Sequence, residues 1–275
     1  MTIERAKRPG PSVRTRVVEH AGDTEIPRED RLVTEEPLEI RVRVGALAPR
    51  RAWVTMRTPG HDFELAAGWL VHEGLATPDT LAQVAYCTDD DLDPEQEFNV
   101  VTVTVTGSAA VPHRHVAASA GSSACGVCGK DSVADALEVR SATPWSGERP
   151  AADVVRRLPE ALRERQELFA RTGGVHAAGL ATADGTLLVV REDVGRHNAV
   201  DKVVGARVLA GEPAAAACLV LSGRVGFELV QKAAASGIGS IVAVGAPTSL
   251  AARLAREAGI ELWGFTSASR AVNYC

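Results

Sequence analysis

Cys125 and Cys128 form a Cys-x-x-Cys pair inside ASAGSSACGVCGKDSVADALEV, a stretch dominated by Gly, Ser and Ala. Three chemistries use such a pair. Structural zinc takes four ligands, so one Cys-x-x-Cys is half a site, and His113 and His115 just upstream would supply the other half. A thioredoxin-like redox couple opens a helix directly after a buried strand, whereas the residues before Cys125 have no strand pattern. A group-carrying nucleophile needs an ionised thiol, and both Lys130 and the helix-start signature of Ser132 with Asp135 favour the thiolate. On the residues alone all three stay open. The other cysteines offer less: Cys218 opens a strand and reads as inert core, Cys87 lies in a strand-like run, and Cys275 has no readable role.

A second group of reactive residue types falls where strands run into helices. EDVGRHNAVDK puts Arg196, His197 and Asn198 at a helix start, with Asp201 and Lys202 one turn in. LVLSGRVGFE puts Ser222, Gly223 and Arg224 after a buried strand, and VAVGAPTSL puts Gly245, Thr248 and Ser249 in the equivalent place. The last strand runs into Phe265, Thr266, Ser267, Ala268, Ser269 and Arg270. Free backbone N–H groups and helix dipoles converge at such ends, and with arginines and hydroxyls they suit a phosphate-bearing ligand. No GxxxxGK[ST] or GxGxxG pattern is present. Each junction alone also reads as ion-paired arginine, capping hydroxyl and turn glycine; three together favour a binding rim. His197 and Lys202 either orient phosphates or pair with Asp201 and Asp193.

The elements that must position these residues fall into two styles. From Leu38 to about Val111, LEIRVRVGAL, RAWVTMRTP and FNVVTVTVT read as strands, and HDFELAAGWLVHEGL between them reads as a helix ended by Gly74. After Pro159 the order is helix (PEALRERQELFARTGG), a hairpin across Asp184-Gly185, then helix, strand, helix, strand, helix and strand to ELWGFTS. This alternation implies right-handed crossovers and a largely parallel sheet covered by helices. The expected organisation is a poorly ordered lead-in over 1–30, a small α+β module over 31–111, a mobile loop over 112–131 and an α/β domain over 132–275.

Bulk properties limit the partners. The formal charge of −5 argues against general binding to nucleic acid or membranes, so an anionic ligand must be met by a local cluster. Five scattered cysteines do not make a secreted disulfide framework. The N-terminal thirty residues are charged and interrupted by Pro and Gly, without the apolar core of a signal peptide, and no run approaches a membrane span. A cytoplasmic protein is expected.

TPGHDFELAAGWLVHEGL, SACGVCGK, REDVGRHNAVDKVVG, SGRVGFELVQKAA and GFTSASRAVNY, in this order from about residue 35 to the end, resemble the FdhD family of formate dehydrogenase accessory sulfurtransferases. The resemblance implies an α/β fold: a cytidine-deaminase-like three-layer mixed sheet covered by helices, with the smaller α+β module in front. It implies a sulfur carrier and sulfurtransferase. Cys125 would take sulfane sulfur from a cysteine desulfurase as a persulfide, with Cys128 assisting transfer or resolving the persulfide. The recipient would be a molybdenum bis(molybdopterin guanine dinucleotide) destined for the formate dehydrogenase catalytic subunit. That cofactor would be bound at Phe265 to Arg270, together with Arg224, Ser222, Arg196 and His197. A homodimer is usual for the resemblance, and no tightly held metal of its own is expected. The competing expectation from the residues is a zinc-stabilised, non-catalytic chaperone that binds the cofactor. Deaminase chemistry lacks its parts, because no H-x-E and no P-C-x-x-C surround Cys125.

Overall fold

The computed structural model describes residues 8–87, 97–107 and 142–275. The expected loop over 112–131 lies outside the described residues, and with it Cys125, Cys128, Lys130, His113 and His115; so do Ser132 and Asp135.

Residues 12–33, of which 12–30 are expected in a poorly ordered lead-in, form an antiparallel hairpin of β1 (Ser12–Ala21) and β2 (Thr24–Val33). Its two-residue turn is Gly22-Asp23, with Gly22 at φ +61° and Ala21 paired to Thr24. Charges that read as a solvated tail are cross-strand partners here, as between Arg28 and Glu19 at 2.7 Å. The ladder hydrogen bonds and these pairs hold the ribbon, not burial.

The next four strands, β3 (Glu36–Val44), β4 (Arg50–Arg57), β5 (Leu81–Tyr86) and β6 (Val100–Val105), form one sheet in the order β4-β3-β6-β5. Period-2 alternation buries Leu38, Ile40 and Val42 of β3 with Val101, Val103 and Val105 of β6. Helix α1 (Asp62–His72) covers them with Leu65, Ala66, Trp69 and Leu70. It ends as expected at Gly74, which takes φ +64° while Leu75 N–H reaches the Leu70 carbonyl and Gly74 N–H that of Val71. The strand-like run that carries Cys87 is β5, which ends one residue before it at Tyr86.

The second sheet has six strands, ordered β12-β11-β10-β9-β7-β8. These are β7 (His176–Ala181), β8 (Leu187–Asp193), β9 (Cys218–Leu221), β10 (Ser240–Ala243), β11 (Glu261–Ser267) and β12 (Arg270–Asn273). The centre, β9-β10-β11, is parallel, and the flanking pairs are antiparallel. Both faces are covered. Leu219, Leu221, Ile241 and Ala243 pack against helices α4 (Arg196–Leu209), α5 (Phe227–Ala235) and α6 (Ser249–Glu257). Cys218, Val220 and Val242 meet Val155, Leu158 and Leu162 of α2 (Ala152–Glu164) on the other side. The mixed sheet between helices is the expected α/β architecture, with antiparallel edges added to its parallel centre.

The helix expected from Pro159 begins earlier, at Ala152, holds Pro159 in its interior, and stops at Glu164; a short α3 (Glu167–Thr172) follows. The N–H groups of Leu168 and Phe169 are both capped at 2.8 Å by the carboxylate of Glu192 on β8. That restart depends on a distant residue. No helix of the described residues is long and apolar enough to cross a membrane.

Helices α1 and α4 cross in backbone contact. A Cβ on Gly68 would lie 1.9 Å from the Asp201 carbonyl oxygen, and one on Gly205 would lie 1.8 Å from that of Glu64. Two glycines on facing helices therefore clamp the N-terminal module to the six-stranded layer.

Candidate functional site

One end of the six-stranded sheet collects the ends of β8, β9, β10 and β11 and the start of β7. The loops there are stitched side by side. Gly245 N–H donates to the Gly223 carbonyl at 3.1 Å, Val225 N–H to Ala246 at 3.1 Å, and Phe265 N–H to Gly245 at 3.2 Å. Gly245 must lack a side chain, because a Cβ would sit 2.9 Å from both Cα and N of Arg224. The Gly223-Arg224, Gly245 and Phe265 segments thus form one continuous rim.

Two of the three helices starting on this rim are left open. The N-caps of α4 and α5 are Gly195 and Gly226, and neither start has a side-chain cap. Their first-turn N–H groups present a positive dipole end to whatever approaches. At α6 the Thr248 hydroxyl accepts from Ala251 N–H, so that hydroxyl is a cap.

The residues expected at the site divide between rim and framework. Arg196 and His197 form the first turn of α4; Arg196 Nε is buried with no hydrogen-bond partner among the described residues, and His197 Nε2 lies 2.7 Å from the Glu228 carboxylate of α5. Arg224 is exposed. Phe265 takes φ +49° and is 44% exposed, and the Arg270 guanidinium lies 5.2 Å from its ring centroid. Ser267 pairs with Arg270 across the turn at Ala268 and Ser269, after a register shift that begins at Gly264. This bulged tip offers a flat aromatic and a cation together, a surface suited to stacking a nucleobase. Thr266 is buried at 2% exposure, its Oγ1 without a partner among the described residues. Ser222 Oγ accepts from Ala177 N–H at 2.8 Å and so ties the rim to β7.

Asn198 and Lys202 belong to the framework. Asn198 donates to the Met56 carbonyl and to Asp193, and Lys202 is paired to Asp193 at 2.7 Å. Of the two pairings open for Lys202, the structure selects Asp193; Asp201 instead holds His72 and Lys232. His197 pairs with neither aspartate.

The sequence reading missed His176. It opens β7, and its ring rests on Gly223, whose absent Cβ would lie 3.2 Å from Nδ1. Burial first, then the charges of Arg196, His197 and Arg224, hold its pKa below the usual histidine value. The only sequence signal was a histidine at the start of a strand, which carries no information until the strand order is known.

Cys218 is fully buried and its thiol is pushed far up by desolvation, as expected of inert core. Burial also raises Cys275, whose Sγ lies 3.4 Å from the Ile260 carbonyl. Among the described residues no group of three or more His, Cys, Asp or Glu is arranged to hold a metal ion.

Comparison with known proteins agrees with this architecture. Residues 33–275 match the FdhD/NarQ family. The sulfur carrier protein FdhD of Nocardia farcinica is 45% identical over 257 residues, covering 92% of this chain and 89% of its own. That of Streptomyces avermitilis is 46% identical, covering 86% and 84%, and that of Mycobacterium tuberculosis 42%, covering 91% of each. The crystal structure of a protein described as a candidate formate dehydrogenase accessory protein, from Desulfotalea psychrophila, superposes with a TM-score of 0.72 over 96% of both chains at 22% identity, and so shares the fold. The chain belongs to the FdhD/NarQ family.

Proposed function

We propose that the chain is a sulfur carrier serving formate dehydrogenase maturation in the reducing cytoplasm, with a molybdenum guanine dinucleotide as the bound recipient. The Cys125 thiolate attacks the terminal sulfur of a desulfurase persulfide; the S–S bond there breaks and the desulfurase thiolate leaves. Cys125 then carries the sulfur as its own persulfide, with no net redox change. In delivery, the Cys128 thiolate attacks the inner sulfur of that persulfide. A Cys125–Cys128 disulfide forms, the terminal sulfur departs with the bonding pair as hydrosulfide for the cofactor, and a cellular dithiol restores the two thiols.

The observation that carries this reading is the rim: Arg196 and Arg224, the pairing of Arg270 with the exposed Phe265 ring, and two uncapped helix starts, in a chain of net charge −5. Such a cluster fits a diphosphate with a stacking base and has no evident use in a protein without an anionic ligand. The relatives named sulfur carriers support the choice of cargo.

Incubation with a cysteine desulfurase and cysteine, followed by mass spectrometry, is expected to place one sulfane sulfur on Cys125. Cys125→Ala should reduce the label to background while Cys275→Ala does not. Equal labelling of Cys125→Ala and wild type would defeat the assignment, and zinc lost on Cys128→Ala would favour the chaperone reading instead.

A further inference from the structure

His176 is a titratable side chain on the rim to which the proposed reaction gives no task. His176 pairs in the sheet with Asp193 at the end of β8, and its half-buried ring lies on Gly223. Facing it are Arg196 and His197 from the first turn of α4, Arg224 from the loop after β9, and the Asp193 carboxylate. Glu228 of α5 joins through its ion pair with His197. Asp193 is already engaged by Lys202, Thr58 N–H, Gly195 N–H and the Asn198 amide. Neither ring nitrogen of His176 has a hydrogen-bond partner among the described residues, and the neighbouring Arg196 Nε is buried without one.

Two unanswered donors in one cationic cluster call for an acceptor. Burial and the adjacent cations disfavour protonation of the free imidazole. An anion seated between Arg196 and Arg224 reverses the local field: it offsets the guanidinium charges and accepts the ring N–H. We propose that His176 is a contact residue of the rim, donating a hydrogen bond to a phosphate oxygen of a diphosphate-bearing ligand held by Arg196 and Arg224, and that binding takes up one proton from solvent onto the imidazole. The proposal rests on the reading of this rim as the recipient's diphosphate site. Its sign follows from linkage. The bound state prefers the protonated ring and the free state the neutral one, so affinity falls as pH rises through the interval between their two pKa values.

Isothermal calorimetry with GDP-mannose tests this, because its diphosphate is a diester with no proton to lose near neutrality. Wild-type Kd should weaken between pH 6 and 8, by up to about tenfold for each unit by which binding raises the ring's pKa. The heat should differ between buffers of low and high protonation enthalpy. His176→Gln and His176→Asn keep an amide donor that does not titrate, and both should give a flat pH profile and buffer-independent heat. His197→Gln, whatever its affinity, should keep the slope. A flat wild-type profile, or a slope that survives in both His176 variants, overturns the role of His176 alone. If wild type does not bind the probe, or Arg196→Gln and Arg224→Gln bind it as tightly as wild type, the rim reading fails and takes the proposal with it.

Discussion

Lys202 sits where a phosphate-binding lysine would be sought, one turn into the helix that starts on the rim, yet its side chain is 1% exposed. The ammonium lies 2.7 Å from Asp193 and donates to the carbonyls of Thr58 at 2.9 Å and Glu192 at 3.3 Å. Every one of its protons is thus answered inside the protein. Because Thr58 belongs to the segment after β4, the lysine also joins the N-terminal module to the start of α4. Lys202→Met would leave the Asp193 carboxylate buried without its cation, and a loss of about 3–5 kcal/mol in urea unfolding is expected. An unchanged unfolding midpoint would show that the pair does not hold the two modules. The sequence left two partners open for this lysine because two aspartates lie within reach in the chain. Only the bend at Val194-Gly195, where Gly195 N–H returns to Asp193, selects between them.

At the scale of elements, the crossing of α1 and α4 joins the N-terminal module to a helix that starts on the rim. Gly68 and Gly205 look like ordinary helix-weakening glycines in the sequence, and nothing in either helix alone explains them. In the structure the atoms that a Cβ would strike are backbone carbonyls, which cannot turn aside. Gly68→Ala or Gly205→Ala must therefore push the helices apart, costing about 3 kcal/mol or more despite the better helix propensity of alanine. Thermal melts should drop clearly for either one, while Gly10→Ala, whose Cβ meets nothing closer than 3.9 Å, should melt as wild type. A gain in stability at Gly68 or Gly205 would refute the close crossing. The elements legible beforehand were those with strong local signals: the β7–β8 hairpin about Asp184-Gly185, the β-branched run of β6, and the alternation from α4 to β11. Those missed took their definition from elsewhere. β12 exists by pairing with β11, the break that divides the expected Pro159 helix into α2 and α3 is fixed by the carboxylate of Glu192, and the β1–β2 ribbon has cross-strand charge in place of an apolar face. Gly22-Asp23 was the one local signal for that ribbon, and high surrounding charge masked it.

For the whole molecule, the sequence changes periodicity between the residues of the four-stranded sheet and those of the six-stranded sheet, but it gives no sign of the chemistry between them. His72 at the end of α1 is buried between Asp201 of α4 and Ser236 after α5. The carboxylate can only accept, so Nδ1 carries the proton toward Asp201, while Nε2 accepts from the Ser236 hydroxyl. Lys232 closes the group at 2.6 Å from Asp201. Burial, followed by the Lys232 charge, pulls the His72 pKa below its usual value, outweighing the opposing pull of Asp201. The folded protein therefore binds fewer protons than the unfolded chain once pH drops below the ordinary histidine range. Stability supplied by the neutral ring is complete above that range and is lost as pH falls toward the depressed folded value, at about 1.4 kcal/mol for each unit of depression. Asp201, whose burial alone would raise its pKa but which Lys232 and His72 together hold below the usual carboxylate range, continues the loss at more acid pH. Urea midpoints should decline from pH 7.5 to pH 5.5 and do so more shallowly in His72→Gln, whose amide also reaches both partners but does not titrate. Parallel slopes in the two proteins would place the acid sensitivity elsewhere, with His61 and His176, also shifted downward among the described residues, as the next groups to replace.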